Sequence, residues 1–202
     1  MLECRFLGSV PYRQAWQLQQ EIHRRIANRE HNPTVLLLEH PPVFTLGKNG
    51  DAANVLDPGD IPVKRVDRGG DVTYHGPGQL VGYPLLDVRA LGVRRYVRSL
   101  EDSLLGLLEG MGVAARRKEG CVGLWAERGK IASIGVRVAR GVSMHGFALN
   151  VSNDLQPFTR INPCGMPGCA VTSVSLELGR EAEVPEAAGR FRLRFGRRVL
   201  KS

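Results

Sequence analysis

The predicted strands of this chain are arranged around one glycine-rich stretch, Arg68-Gly69-Gly70-Asp71-Val72-Thr73-Tyr74-His75-Gly76-Pro77-Gly78-Gln79. A predicted strand, Pro62 to Val66, runs into its double glycine, and another, Leu80 to Val88, leaves its Gly-Pro-Gly end. Glycine allows positive φ and lets the backbone approach a ligand closely, whereas proline fixes φ. Because charged Arg68 and titratable His75 lie within it, the stretch predicts a loop that holds a ligand against the main chain.

Hydrophobic periodicity predicts helices and strands around this loop. A first amphipathic helix is predicted from Pro11 to Glu30, with a shared apolar face of Ala15, Leu18, Ile22 and Ile26. A second is predicted from Val93 to Met111, with its core face at Val97, Leu100, Leu104 and Leu108. Between the first helix and the loop, the pattern predicts two short strands and a polar loop, at Thr34 to Leu38, Val43 to Leu46 and Gly47 to Gly59.

The second half of the chain begins as a strand meander. The three strands are predicted at Gly123 to Ala126, Lys130 to Val138 and Val142 to Val151. The long loop from Ser152 to Gly168 contains three prolines, and loops of this length are usually functional. Pro185 is predicted as the first residue of a C-terminal helix. The fold class is therefore α+β: one domain over residues 1–202, with a mixed, largely antiparallel sheet and helices packed on it.

Composition and charge limit the function classes. The chain has 202 residues, 43% of them hydrophobic, and a net charge of +8, which favours acidic partners. No apolar run is long enough for a membrane span and no secretion signal is present, so a cytoplasmic location is expected. The C-terminal basic cluster has apolar residues at helical spacing and is interpreted as a solvated helix face, not a nucleic-acid site. The cluster comprises Arg190, Arg192, Arg194, Arg197, Arg198 and Lys201.

Cys164 and Lys130 are the candidate reactive residues. Cys164 stands between a proline and a glycine in the long loop, outside any hydrophobic pattern, whereas Cys4 and Cys121 read as small buried residues. Lys130 opens an apolar strand, from which its side chain can turn inward. A thiol is weakly nucleophilic until it ionises, and a lysine ammonium close by favours the thiolate.

Other kinds of site are less well supported by the sequence. Gly129-Lys130 lacks the glycine and the hydroxyl residue of a phosphate-binding loop. There is no C-x-x-C pair, no H-E-x-x-H pair and no G-x-S-x-G turn. A metal site formed by His75, His145, Cys164 and Cys169 is an alternative, but the expectation is that no metal is bound.

Six motifs follow one another in the order of a known family. They are Glu39 to Gly47, Arg68 to Gln79, Gly129 to Gly135, Met144 to Val151, Asn162 to Gly165 and Val171 to Ser173. Together they resemble the lipoyl(octanoyl) transferases over nearly the whole chain. The resemblance implies a fold similar to the catalytic domain of biotin- and lipoate-protein ligases. It also implies that Cys164 carries an acyl thioester and that Lys130 is its partner.

The resemblance further implies substrate contacts, listed by residue as Arg68, Gly69, Gly70, Asp71, Val72, Thr73, Tyr74, His75, Ser133, Ile134, Gly135, Gly146, Phe147 and Ala148. Ser133 departs from the alanine that is commoner in the family. An octanoyl chain needs an apolar slot, for which Tyr74, His75, Ile134, Phe147 and Leu149 are the candidate lining residues. Backbone amides near His75-Gly76 or Cys164-Gly165 are candidate oxyanion donors.

The implied activity is octanoyl transfer from octanoyl-acyl carrier protein to a specific lysine of lipoyl domains, in endogenous lipoate biosynthesis. The expected acceptors are the lipoyl domains of 2-oxoacid dehydrogenase complexes and the glycine cleavage H protein. No cofactor is expected, because the carrier's phosphopantetheine delivers the acyl group, and neither nucleic acid nor membrane is an expected partner. Two alternatives stay open: an ATP-dependent lipoate- or biotin-protein ligase, and a non-catalytic protein that binds acyl carriers or lipoyl domains.

Overall fold

The computed structural model describes residues 2–199, with side chains described through residue 195. Within these residues it has ten strands and four α-helices. The helices are α1 (Tyr12–Ala27), α2 (Val93–Gly110), α3 (Val174–Leu178) and α4 (Val184–Val199). The strands are β1 (Glu3–Ser9), β2 (Thr34–Glu39), β3 (Val43–Leu46), β4 (Val63–Arg65), β5 (Val72–His75), β6 (Gln79–Leu85), β7 (Arg116–Lys118), β8 (Cys121–Trp125), β9 (Lys130–Ala139) and β10 (Val142–Asn150).

Seven strands form one sheet in the order β1-β2-β6-β10-β9-β8-β7. β1 and β2 pair in parallel, and every other pairing of this sheet in the described residues is antiparallel. The predicted mixed, largely antiparallel sheet is confirmed. The meander β8-β9-β10 is also confirmed, with Leu149 opposite Ala132 and Phe147 opposite Ile134. β10 at the centre of the sheet therefore brings the meander against β6.

Helices cover both faces of this sheet, which explains why β2 and β6 are buried along almost their whole length. α2 and α4 pack on one face, where Leu100, Leu104 and Phe191 join Leu80 and Leu149 in the largest core cluster. α1 packs on the other face through Ala15, Ile22 and Ile26. Both periodic patterns thus mark the buried helix faces, although Leu18 and Val97 are only half-buried.

A second, three-stranded sheet has the order β4-β3-β5 and was predicted only in part. Its strand β5 lies inside the glycine-rich stretch that the sequence analysis treated as a loop. Val72 and Tyr74 on β5 pack with Phe44, Phe158 and Ile161 in a core cluster of their own. The small sheet therefore holds the glycine-rich stretch in place beside the large sheet.

The C-terminal helix agrees with its sequence pattern in the part that is described. Phe191 and Phe195 are buried, with ring centroids 5.1 Å apart, whereas Arg192 and Arg194 are exposed. The helix begins at Val184, so Pro185 is its second residue and not the first. The side chains of Arg197 and Arg198, and all of Lys201, lie outside the described part of the chain.

Candidate active site

Lys130 and Cys164 lie 34 residues apart in sequence and meet in space. Lys130 Nζ is 2.9 Å from Cys164 Sγ, within hydrogen-bonding distance, and it also donates to the carbonyl of Val122 at 3.3 Å. Lys130 is 3% exposed and Cys164 is half-buried. The side chain of Lys130 therefore places a buried amino group in direct contact with the sulfur of Cys164.

The position of Lys130 follows from its backbone and from one glycine. Its amide donates to Ala170 O at 2.8 Å, and its carbonyl accepts from Thr172 N at 3.0 Å. Its Nζ lies 4.8 Å from the ring centroid of Trp125. A Cβ on Gly123 would stand 3.1 Å from Lys130 Cε and 2.5 Å from a strand carbonyl, and Gly123 has a φ of 120°. A glycine at position 123 therefore leaves room for the Lys130 side chain to pass β8 and reach Cys164, and any larger residue would fill that room.

Cys164 is held in a strained turn. The 3-10 turn Pro163–Gly165 has Cys164 in the left-handed region, with φ 57° and ψ 27°. Such a conformation is unfavourable for a non-glycine residue and persists only where the surroundings enforce it. Here Asn54 supplies the restraint, because its carbonyl accepts from Asn162 N at 2.8 Å and its Oδ1 accepts from Asn162 Nδ2 at 3.1 Å. The amide of Gly165 donates to Asn162 O at 2.9 Å, so it is not free as an oxyanion donor.

A cavity opens beside Cys164, between the glycine-rich stretch and strands β9 and β10. Most of the residues expected to contact substrate line it: Arg68, Gly70, Asp71, Thr73, His75, Ser133, Ile134, Gly135, Gly146, Phe147 and Ala148. The structure therefore brings three separate sequence motifs to one cavity, with Cys164 at its wall. Ile134, Phe147 and Ala148 give it apolar surface, whereas the side facing the glycine-rich stretch is polar.

Four of the expected residues lie elsewhere. Val72 and Tyr74 are in the core of the small sheet, because side chains alternate along β5 and those of Thr73 and His75 take the cavity face. Leu149 is buried in the main core, on the same face of β10 as Phe147 but outside the cavity lining. Gly69 is also absent from the cavity lining. The side chains of Tyr74 and Leu149 thus lie in hydrophobic cores and not in the lining of this cavity.

Arg68 is a buried cation in the cavity wall. It is 8% exposed, and its guanidinium donates to Thr45 O at 2.7 Å, Thr45 Oγ1 at 2.9 Å and Gly69 O at 3.0 Å. Burial lowers the pKa of Arg68, and nearby Tyr12 and Cys164 act in the opposite direction. Because a guanidinium keeps its proton far above neutral pH, Arg68 places a positive charge in the cavity wall.

His75 is a wall of the cavity with both ring nitrogens engaged. Nδ1 donates to Gln79 Oε1 at 2.8 Å, and Nε2 accepts from Thr45 Oγ1 at 3.2 Å. Burial lowers the pKa of His75 well below its usual value, and neighbouring His40 adds to this effect. A neutral imidazole with no free nitrogen has no lone pair to offer as a general base.

The cavity lining also includes three residues that the sequence analysis did not place among the substrate contacts: Tyr12, Tyr83 and His145. His145 Nε2 donates to Asp67 Oδ1 at 2.7 Å, and this hydrogen bond lowers the pKa of Asp67. Burial lowers the pKa of His145, so the pair is a neutral imidazole beside a carboxylate. A φ of 56° at His145 distorts β10 at this point. The tyrosines give no local sequence signal, because α1 and β6 bring them here only through tertiary packing.

Among residues 2–199, no group of three or more His, Cys, Asp or Glu side chains is arranged to hold a metal ion. His75, His145, Cys164 and Cys169 therefore do not form such a group. In the same part of the chain, no helix combines the length and the apolar character that crossing a membrane requires.

Comparison with known proteins places this geometry in a family. Residues 11–196 match the model of the lipoyl protein ligase A/B catalytic domain. An octanoyltransferase from Citrifermentans bemidjiense is 53% identical over 191 residues, which covers 94% of this chain and 93% of that protein. The chain belongs to the octanoyltransferase family. It is therefore an acyltransferase, and the family resemblance of its six motifs is confirmed.

Solved structures with the same fold are more distant in sequence. A lipoate protein ligase from Thermoplasma acidophilum superimposes with a TM-score of 0.73 at 16% identity, over 99% of this chain and 85% of that one. A biotin protein ligase from Aquifex aeolicus gives a TM-score of 0.56 at 12% identity, over 98% and 69%. These likenesses confirm the predicted α+β ligase-like fold of this octanoyltransferase family member, and at such identities they show the fold alone.

Proposed function

We propose that this acyltransferase moves an octanoyl group from octanoyl-acyl carrier protein to a specific lysine of a lipoyl domain, through a thioester on Cys164. The observation that carries the proposal is the 2.9 Å contact between Lys130 Nζ and Cys164 Sγ at the wall of the cavity. A buried cation, a strained cysteine and an adjoining partly apolar cavity are the parts that a thiol-based acyl transfer needs. We choose octanoyl as the acyl group because the relatives are octanoyltransferases.

The first half-reaction loads the enzyme. The thiolate of Cys164 attacks the carbonyl carbon of the carrier's thioester, and a tetrahedral intermediate forms and collapses with cleavage of the bond to the pantetheine sulfur. The Lys130 ammonium gives its proton to this leaving thiolate, so the carrier departs with a free thiol. One thioester replaces another, and the step is readily reversible. The acyl chain gains about 0.8 kcal/mol for each methylene that the cavity takes out of water.

The second half-reaction forms the amide. The acceptor lysine attacks the Cys164 thioester as a neutral amine, and Lys130, now also neutral, accepts the proton that the new amide nitrogen loses. Cys164 leaves as a thiolate beside a restored ammonium, which returns the site to its starting state. Forming an amide from a thioester is favourable and draws the sequence forward. Arg68, buried in the same wall, adds positive charge in both steps.

The expected protein partners follow from this chemistry. Acceptors are the lipoyl domains of 2-oxoacid dehydrogenase complexes and the glycine cleavage H protein, and acyl carrier protein is the donor. Carriers and lipoyl domains are typically acidic, so the net charge of +8 favours their approach. The reaction needs no cofactor beyond the carrier's phosphopantetheine, and we place it in the cytoplasm, where fatty acyl carriers are available.

The experiment is intact-mass spectrometry of the protein mixed with octanoyl-acyl carrier protein in the absence of ATP. The proposal predicts one octanoyl adduct that hydroxylamine removes and that Cys164→Ala lacks. Cys169→Ala is the matched control, since Cys169 is a half-buried thiol of the same loop, and it should retain the adduct. No adduct on the wild-type protein, with the acceptor modified only when ATP and free octanoate are present, would establish a ligase instead.

A further inference from the structure

A line of hydrogen bonds runs from the cavity wall to the main chain of Lys130. His75 Nδ1 donates to Gln79 Oε1 at 2.8 Å, Gln79 Nε2 donates to Asn150 Oδ1 at 2.9 Å, and Asn150 Nδ2 donates to Thr172 O at 2.9 Å. Thr172 N then donates to Lys130 O at 3.0 Å. Four hydrogen bonds thus connect a residue of the acyl cavity to the residue that contacts the nucleophile.

The Thr172 carbonyl determines which group donates and which accepts in each side-chain hydrogen bond of this line. A backbone carbonyl only accepts, so the amide nitrogen of Asn150 must face Thr172 and its oxygen must face Gln79. The Gln79 nitrogen then faces Asn150, where it also donates to Tyr74 O at 3.0 Å, and its oxygen accepts from His75. Turning either amide over would place two acceptors, or two donors, against each other.

The line is buried throughout. Gln79 is 1% exposed, Asn150 5% and Thr172 0%. In such an environment a missing partner costs more than the bond itself contributes, because no water replaces it. Neither Gln79 nor Asn150 belongs to the described cavity lining, so the proposed transfer chemistry leaves both amides without a role.

The segment from Ala170 to Thr172 determines the position of Lys130. Both the amide and the carbonyl of Lys130 bond to this segment, through Ala170 and Thr172. Asn150 holds the same segment by donating to the Thr172 carbonyl. If this hydrogen bond is lost, the Thr172 carbonyl is left unpaired in the core, and a shift of the segment that relieves this would move the start of β9 and Lys130 Nζ with it.

We propose that Asn150, supported by Gln79, is a positioning residue for Lys130 that keeps its ammonium in contact with Cys164. The inference deepens the proposed function, on which its catalytic meaning rests. Reactivity depends steeply on this placement, since displacements of ~1 Å can lower a rate about a hundredfold. The contact of Lys130 with the thiol should therefore respond to a substitution of Asn150, which is connected to Lys130 through Thr172.

The test is alkylation of Cys164 by iodoacetamide, followed at that residue by peptide mass spectrometry at pH 7. Asn150→Leu keeps the size of the side chain and removes both hydrogen bonds. We expect the alkylation rate at pH 7 to fall about three- to tenfold, towards that of Lys130→Met, because the thiol loses its contact with the lysine. In single-turnover octanoyl transfer the maximal rate should fall while the half-saturating donor concentration stays unchanged.

Ser143→Ala is the matched control. Ser143 is also a fully buried polar residue of β10 and bonds to Pro84 O at 2.7 Å, far along the strand from Lys130. It should lower the melting temperature without changing the alkylation rate. If Asn150→Leu does not fold, Gln79→Met is the second test, because it removes the preceding hydrogen bond of the line and should lower the alkylation rate by less.

A folded variant with the wild-type alkylation rate would overturn the inference. An equal fall in Ser143→Ala would do so too, because the effect would then be general destabilisation. Alkylation needs no acyl donor, so this result is independent of the proposed transfer. A wild-type protein that forms no acyl-enzyme would refute the proposed function and still leave the positioning of Lys130 to be decided by alkylation.

Discussion

Acidification should destabilise the fold through His40, a buried histidine behind the cavity. His40 is 0% exposed, its Nδ1 donates to Val10 O at 2.6 Å and its Nε2 accepts from the Tyr83 hydroxyl at 2.7 Å. Burial lowers its pKa from 6.5 to about 4, with the Val10 hydrogen bond opposing this shift. At pH 5 protonation then favours the unfolded chain about thirtyfold, or about 2 kcal/mol.

The direction of this pH effect follows from the lowered pKa of His40. The fold holds His40 neutral, so its contribution to stability is complete above pH 6.5 and is lost as the pH falls towards 4. Urea unfolding between pH 8 and pH 5 measures the loss. His40→Asn is the comparison, because asparagine keeps a donor for Val10 O but does not titrate. The difference in unfolding free energy between wild type and variant should narrow by about 2 kcal/mol over this range. A difference that stays constant with pH would refute the reasoning.

Three further substitutions have defined outcomes. Lys130→Met should slow formation of the acyl-enzyme on the order of a hundredfold, measured by rapid quench, with little change in melting temperature. Asn54→Ala removes the side-chain hydrogen bond to Asn162 that helps to restrain the turn of Cys164, and it should lower the unfolding free energy by about 1–3 kcal/mol in calorimetry and slow acylation. Gly82→Ala would place a Cβ 2.2 Å from the Phe147 ring, and overpacking should cost about 1–3 kcal/mol.

Each of these substitutions has a control or a contradicting result. Gly189→Ala in α4 meets no atom within 4 Å, so it should stabilise the protein, by about 0.5–1 kcal/mol. Equal stability changes for Gly82→Ala and Gly189→Ala would contradict the close packing against Phe147. Acylation at the wild-type rate in Lys130→Met would remove the lysine from the mechanism. Unchanged stability in Asn54→Ala would mean that other contacts hold the cysteine turn.

Hydrophobic periodicity was sufficient for the long elements of the fold. α1 and α2 bury the faces that their patterns mark, and the meander from β8 to β10 follows the predicted strands because each alternates or is continuously apolar. Three strands were missed. β1 mixes charged and apolar residues at an edge, β7 consists of three basic residues, and β5 is flanked by glycines that indicate a loop. Pairing with neighbouring strands, not local propensity, makes these segments extended.

Site residues that belong to sequence motifs could be predicted. Residues that only tertiary packing brings to the site could not. Lys130 and Cys164 were chosen from their local contexts and from the family resemblance, and the structure brings them into contact. Asn54 was missed because its role arises only from the approach of the 162–165 segment. Strand alternation in Val72-Thr73-Tyr74-His75 places Tyr74 in the core of the small sheet and His75 in the cavity wall. The sequence analysis did not separate the two residues, because it assigned this segment to a loop and not to a strand.

Transfer from an isolated acyl-enzyme tests the central claim most directly. Octanoyl-enzyme freed of carrier protein would be mixed with a lipoyl domain, without ATP, and both proteins would be weighed over time. The two-step mechanism predicts that the octanoyl group leaves Cys164 at the rate at which one lysine of the lipoyl domain gains it. An acyl-enzyme that persists or only hydrolyses, while the lipoyl domain stays unmodified until carrier or ATP is added, would contradict a Cys164 thioester as the intermediate.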